Sequence, residues 1–127
     1  MLRFFKGRGK EWMLAEDLAA RHLKKQGYRI LHRNIRLDRF EMDIVAQKAD
    51  TVVFAEVRSR SDDSHTAPEN TVQHAKQQHL REAARRYLAR FGEEDVYYRF
   101  DVIGILMAPG EKPQLTHIEN AFGMDPE

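Results

Sequence analysis

The chain has 127 residues, 42% of them hydrophobic and 32% charged, with a formal net charge of +1 and no cysteine. That length suits one domain, and the lack of cysteine excludes disulfides and thiolate zinc sites and suits a reducing cytoplasm. No run approaches the ~18 to 20 apolar residues of a membrane span, the start Met1–Gly7 is too short for a signal peptide, and the near-neutral charge argues against an all-over basic nucleic-acid coat.

Residues Lys10 to Gln26 read as a helix stopped by Gly27. Trp12, Glu16, Ala19, Ala20 and Leu23 share one stripe at helical spacing, with Glu16 where an apolar residue belongs. The plain alternative is that Glu16 lies at the edge of the stripe and reaches water. Leu14 and Leu18 fall on the opposite face. Tyr28 to Arg36 reads as a first strand, Leu37–Arg39 as a polar turn and Glu41 to Gln47 as a second strand. Lys48–Asp50 closes a short hairpin into a third strand, Thr51 to Arg58. Residues 59–70 form a polar stretch rich in Ser, Asp and Pro, read as a flexible loop.

Thr71 to Phe91 is the clearest helix, with Val72, Ala75, His79, Leu80, Ala83, Tyr87 and Phe91 at three- and four-residue steps and Gly92 at its end. Its arginines Arg81, Arg85, Arg86 and Arg90 read as a solvated face. Tyr97 to Leu106 is a fourth strand with Asp101 inside an apolar run, Leu115 to Ile118 a short edge strand, and Phe122 a residue that packs back on the core. The last five residues, 123–127, are expected to fray. A helix joins strands three and four, which makes them parallel, while tight turns make the first three antiparallel. The fold class is therefore α/β, a mixed sheet flanked by helices, in one domain spanning residues 1–127.

The chemistry concentrates in Phe40–Ala46 and Val52–Arg58. Both read as strands, and both carry carboxylates where a strand should be apolar. Alternation puts Glu56 and Arg58 on one face, with Asp43 within reach across a hairpin. Charged residues are rarely buried unless paired or coordinated. An acid followed by Glu-x-basic on the next strand is the constellation of a magnesium-dependent phosphodiesterase, in which carboxylate oxygens hold a hard cation. By spacing alone, the plainer reading is a strand end emerging into solvent, with Glu56 and Arg58 decorating it.

The motifs together sharpen this. Glu16-x-x-Ala19 with Leu23 and Gly27-Tyr28, Asn34-x-Arg36, Glu41-x-Asp43, Phe54-x-Glu56-Val57-Arg58, Lys76, Arg99-Phe100-Asp101-Val102 and Asn120-Ala121-Phe122 resemble the YraN-like small bacterial proteins of the restriction-endonuclease-like, or PD-(D/E)xK, superfamily. The chain is also similar to archaeal Holliday-junction resolvases. The resemblance implies an αβββαβ core and a metal-dependent nuclease acting on DNA, on branched or damaged DNA in particular, with a homodimer as its assembly. It implies that Asp43 and Glu56 ligate Mg2+ or Mn2+, that Val57 offers its carbonyl to the same ion, and that Glu16 completes the site directly or through water. Glu16, Asp43 and Glu56 should then converge on one spot.

Arg58 stands where the superfamily has its catalytic lysine, and Phe40 where the motif begins with glycine. Arginine cannot act as a proton acceptor, though it can stabilise phosphate charge. Phe40 would narrow the site or stack on a base. Arg33, Arg36, Arg39 and Lys76 are the residues expected to hold DNA phosphates. The alternative reading is a catalytically weak or inactive DNA-binding protein, or a protein-interaction scaffold, that keeps the nuclease fold. No Ser–His–Asp or Cys–His arrangement and no Gly-rich phosphate loop is visible, and the six histidines lack metal-ligand spacing.

Overall fold

The computed structural model describes residues 10–61 and 73–125, with side chains from residue 13 onward. The first helix, α1, runs Lys10–Lys25. It ends where Gly27 adopts φ +97°, a conformation that suits glycine. The Tyr28 N–H reaches the Leu23 carbonyl at 2.9 Å and the Gly27 N–H reaches that of Lys24 at 3.0 Å. These two bonds close the helix in a Schellman motif. Ala15, Ala19, Ala20 and Leu23 are buried, and Glu16, only 2% exposed, is buried with them rather than reaching water. Leu14 is exposed, Leu18 packs against the core, and the side chain of Trp12 lies outside the described residues.

Three strands follow: β1 (Arg29–Leu37), β2 (Phe40–Lys48) and β3 (Thr51–Arg60). Tight turns at Asp38 (φ 61°) and Ala49 (φ 54°) join them, and Leu37↔Phe40 and Lys48↔Thr51 set the antiparallel registers. Ser59 and Arg60 belong to β3, not to the loop expected from residue 59, and the rest of that expected loop lies outside the described residues apart from residue 61. The second helix, α2 (His74–Phe91), crosses to β4 (Tyr97–Leu106), with Thr71 and Val72 outside the described residues. β4 runs parallel to β3 from Thr51↔Tyr97 to Arg60↔Leu106. The last strand, β5 (Gln114–Phe122), is longer than the expected four-residue edge strand and absorbs Asn120-Ala121-Phe122. The strand order is β1-β2-β3-β4-β5, and the expected αβββαβ order is realised with β5 added at the edge.

Alternation along β3 sorts the core into two layers. Val53, Ala55 and Val57 pack with α1, Ile44, Ile103 and Ile105. Val52 and Phe54 pack with Leu80, Ala83, Ala84 and Tyr87 of α2. Each of the larger aliphatic or aromatic side chains among them contributes ~1.5–3 kcal/mol of transfer free energy. Arg81 does not belong to a solvated face. It is 3% exposed, donates to the Gly123 carbonyl at 2.8 Å and lies over the Phe122 ring. Phe122 stacks on Phe100 at 4.6 Å, the core contact expected of it. Gly123 and Met124 are held against the second core layer, and residues 126 and 127 of the segment expected to fray lie outside the described residues. Among the described residues, no helix is long and apolar enough to cross a membrane.

Candidate active site

Asp43 and Glu56 lie where the β2–β3 ladder ends. The β2–β3 ladder runs from Lys48↔Thr51 to Ile44↔Ala55 and goes no further. Beyond it, the Val57 N–H donates to Asp43 Oδ2 at 2.8 Å. A side-chain carboxylate thus takes the donor that a continuing ladder would have given to a backbone carbonyl. Asp43 and Glu56, the residues just past the last pair, are 2% and 4% exposed. On the other side of β2, Arg33 pairs with Ile44 and Ile35 with Met42. Between them Asn34 takes a left-handed φ of 54°, which asparagine tolerates better than most residues.

Glu16 meets the same level from α1. Its Oε1 accepts from Arg33 Nη2 at 2.6 Å and from Asn34 Nδ2 at 2.8 Å. Arg33 also donates to Asp17 at 2.7 Å. Burial alone would lower the Arg33 pKa, but its bonds to Asp17 and Glu16 outweigh this and raise it. Asp43 of β2 and Glu56 of β3 thus follow the last pair of their ladder, while Glu16 of α1 is bound to Arg33 and Asn34 of β1. Among the described residues, no group of three or more His, Asp or Glu side chains is arranged to hold a metal ion. The candidate site is the pair of buried carboxylates Asp43 and Glu56, and Glu16 is held separately by Arg33 and Asn34.

The basic residues divide. Glu56 and Arg58 share the α2 face of β3, and Lys76 of α2 places Nζ 3.7 Å from Glu56 Oε2. Arg58 is half-buried, and Arg36 and Arg39 are exposed. Arg39 lies 4.9 Å over the Phe40 ring. Phe40 itself is 7% exposed and packs between the Arg86 guanidinium at 4.5 Å and the His79 ring at 4.9 Å. It is a core residue that ties α2 to the β1–β2 turn, not a platform open to a nucleic-acid base.

The donor chemistry fits a hard cation. Asp43, Glu56 and the Val57 carbonyl offer oxygen only, as magnesium and manganese prefer. An ionised carboxylate has about four lone-pair sites, so Asp43 can serve Val57 and an ion together. Lys76 neutralises part of the charge that a cation would otherwise meet.

A second polar centre was only half legible in the sequence. Asp101 stood out as an acid within an apolar strand, but its partners did not. It is fully buried and accepts from Arg99 Nε and Nη2, both at 2.8 Å, from His117 Nε2 at 2.8 Å and from the Asn120 N–H at 3.0 Å. Burial would raise its pKa, yet these bonds from His117, Arg99 and Asn120 prevail and hold it below the ordinary aspartate value. Arg99 also donates to the Tyr28 hydroxyl at 2.8 Å, and His117 Nδ1 lies 3.0 Å from His22 Nε2. His22 and His117 are 95 positions apart, and no spacing rule could have joined them.

A model of the uncharacterised protein family UPF0102 matches residues 15–105, a span that includes Glu16, Asp43, Glu56 and Asp101. A UPF0102 protein of Geobacter sulfurreducens is 43% identical over 107 residues, covering 84% of each chain. One of Alkaliphilus oremlandii is 41% identical over 111 residues, 86% of this chain and 94% of the relative. One of Rhodococcus jostii is 37% identical over 107 residues, 84% of this chain and 91% of the relative. With the matched span reaching from α1 into β4 and these relatives aligned over most of their length, the chain belongs to the uncharacterised protein family UPF0102.

Proposed function

We propose that this protein is a metal-dependent nuclease of the restriction-endonuclease-like type that hydrolyses phosphodiester bonds in DNA in the cytoplasm, with branched or damaged DNA as the preferred substrate. The observation that carries the reading is the pair of buried acids, Asp43 and Glu56, where β2 and β3 part, with the Val57 N–H bound to Asp43. Buried carboxylates are costly unless they are paired or coordinated, and a purely structural hairpin has no need of two at its opening.

In this reading Asp43, Glu56 and the Val57 carbonyl hold Mg2+ or Mn2+. A bound divalent ion supplies an activated water and neutralises phosphate charge. Glu16 acts beside them, orienting Arg33 and Asn34. Arg58, on the Glu56 face of β3, stabilises the charge of the transferring phosphate by hydrogen bonding, and it does not accept the proton. Arg36 and Arg39 grip the DNA backbone, with Arg33 and Lys76 nearer the acids. A homodimer, which would present two such sites to a branched duplex, belongs to the same proposal.

The test is cleavage of linear, forked and four-way DNA with Mg2+ and with Mn2+, comparing the wild type with Asp43→Asn. Metal-dependent cutting that the variant lacks supports the reading, and equal cutting by both proteins overturns it. A second reading has its own observation. Arg33 and Lys76 already pair with Glu16 and Glu56, as in a protein that binds DNA without cutting it. DNA binding with no cleavage under any divalent ion would select that reading.

A further inference from the structure

We propose that the pocket between α1 and the β4–β5 hairpin binds a small organic phosphate monoester. It encloses about 240 Å³, with Arg21, His22 and Lys25 from α1 on one side and Leu18, Ile105 and Leu115 among its apolar walls. The site is separate from the carboxylate pair and does not depend on the nuclease reading.

The chemistry of the pocket is set from behind. Asp101 is ionised at neutral pH, and an ionised carboxylate only accepts. His117 therefore carries its proton on Nε2, toward Asp101. In the tautomer that leaves His117 Nδ1 unprotonated, that nitrogen is an acceptor and His22 Nε2, 3.0 Å away, donates to it. The nitrogen of His22 left for a ligand is then an unprotonated Nδ1. Burial, then the proximity of His117, disfavours protonation of His22. The charged and titratable groups around it are Arg21 and Lys25 on its own helix, His117 on β5, and Asp101 and Arg99 on β4 behind His117.

Cations in the last turn of α1 also offset the helix dipole. That role needs neither a pocket nor a histidine wired to a buried aspartate. Arg21 and Lys25 supply two positive charges, and protonated His22 would supply a third. A phosphate monoester carries about −1.5 to −2 at neutral pH, a closer match than a carboxylate. The apolar walls require an organic body, which inorganic phosphate lacks. Binding of the dianion should reverse the suppression of His22 and draw one proton from solvent.

Calorimetry of the full chain with phenyl phosphate at pH 7 tests this, with inorganic phosphate and benzoate as comparators. One phenyl phosphate should bind per chain, more tightly than either comparator. Its heat should vary with the ionisation enthalpy of the buffer, which reports proton uptake. Arg21→Ala and Lys25→Ala, both at exposed helix positions, should each weaken binding about tenfold through loss of one charge-assisted contact. His22→Gln, which can still bond to His117, should abolish the buffer dependence. Binding unchanged in the Arg21 and Lys25 variants, no saturable stoichiometry, or benzoate binding as tightly as phenyl phosphate would overturn the proposal. Displacement of phenyl phosphate by DNA lacking terminal phosphates would assign the pocket to a nucleic-acid backbone and overturn it as well.

Discussion

Asp43 ends the β2–β3 ladder by capturing the Val57 N–H, and in the proposed site its remaining oxygen lone pairs would hold a cation. Asp43→Asn separates the two roles. The amide oxygen can still accept from Val57, so the variant should fold with an unchanged circular dichroism spectrum, while metal-dependent cleavage should vanish because a charged ligand is gone from a hard-cation site. Arg58 makes the complementary prediction. If it acts by charge, Arg58→Lys should retain or raise the cleavage rate, since lysine keeps the charge and can also transfer a proton. Arg58→Ala should lower the rate by about a hundredfold or more. Equal rates for all three proteins would reduce Arg58 to a strand-end residue. Alternation alone marked the acids as misplaced and put Glu56 and Arg58 on one face, while the roles expected of them came from the family resemblance. The burial of Phe40 was not legible, because it depends on where α2 crosses the β1–β2 turn.

At the scale of an element, β5 is held by hydrogen bonds to a buried charge more than by its own apolar pattern, which is weak. Asp101 receives His117 and the Asn120 N–H from that strand, and Asn120 takes φ 53° to deliver its N–H. Asp101→Asn should destabilise the fold by about 3 kcal/mol, because Arg99 and His117 lose a fully buried ionic partner. Urea denaturation measures it. The sign of the pH effect follows from the depressed Asp101 pKa. Its contribution is fully present above the ordinary aspartate value of 3.8 and is lost as pH falls through the lower folded value. The wild type should therefore lose stability below about pH 4, and the Asn variant should show less of this loss. On α2, Leu80→Ala should cost about 2–5 kcal/mol by opening a cavity beneath the helix.

Across the whole molecule the formal net charge is only +1, so any affinity for DNA must come from where the cations sit. Arg36 and Arg39 are exposed near one end of the β1–β2 hairpin. If they contact phosphates, DNA affinity should fall steeply as salt rises, and replacing either by alanine should reduce the slope of log affinity against log salt by about one. Fluorescence anisotropy over a salt series measures this, and an unchanged slope in both variants would remove these residues from the interface.

By itself the sequence determined the order of helices and strands, the antiparallel hairpins, the parallel crossover and the misplaced acids at Glu16, Asp43, Glu56 and Asp101. Those features are written in periods of 3.6 and 2 and in turn residues, which act over a few positions. Only the tertiary structure decided what each acid meets: Arg33 and Asn34 for Glu16, the Val57 N–H for Asp43, Lys76 for Glu56, and His117 and Arg99 for Asp101. It also buried Arg81 beneath the chain end and extended β5 to Phe122. Periodicity reports which face of an element is apolar. The partner of a buried polar group is set by registers and crossings that bring together residues far apart in the chain, and a desolvated charge must find that partner wherever the fold places it.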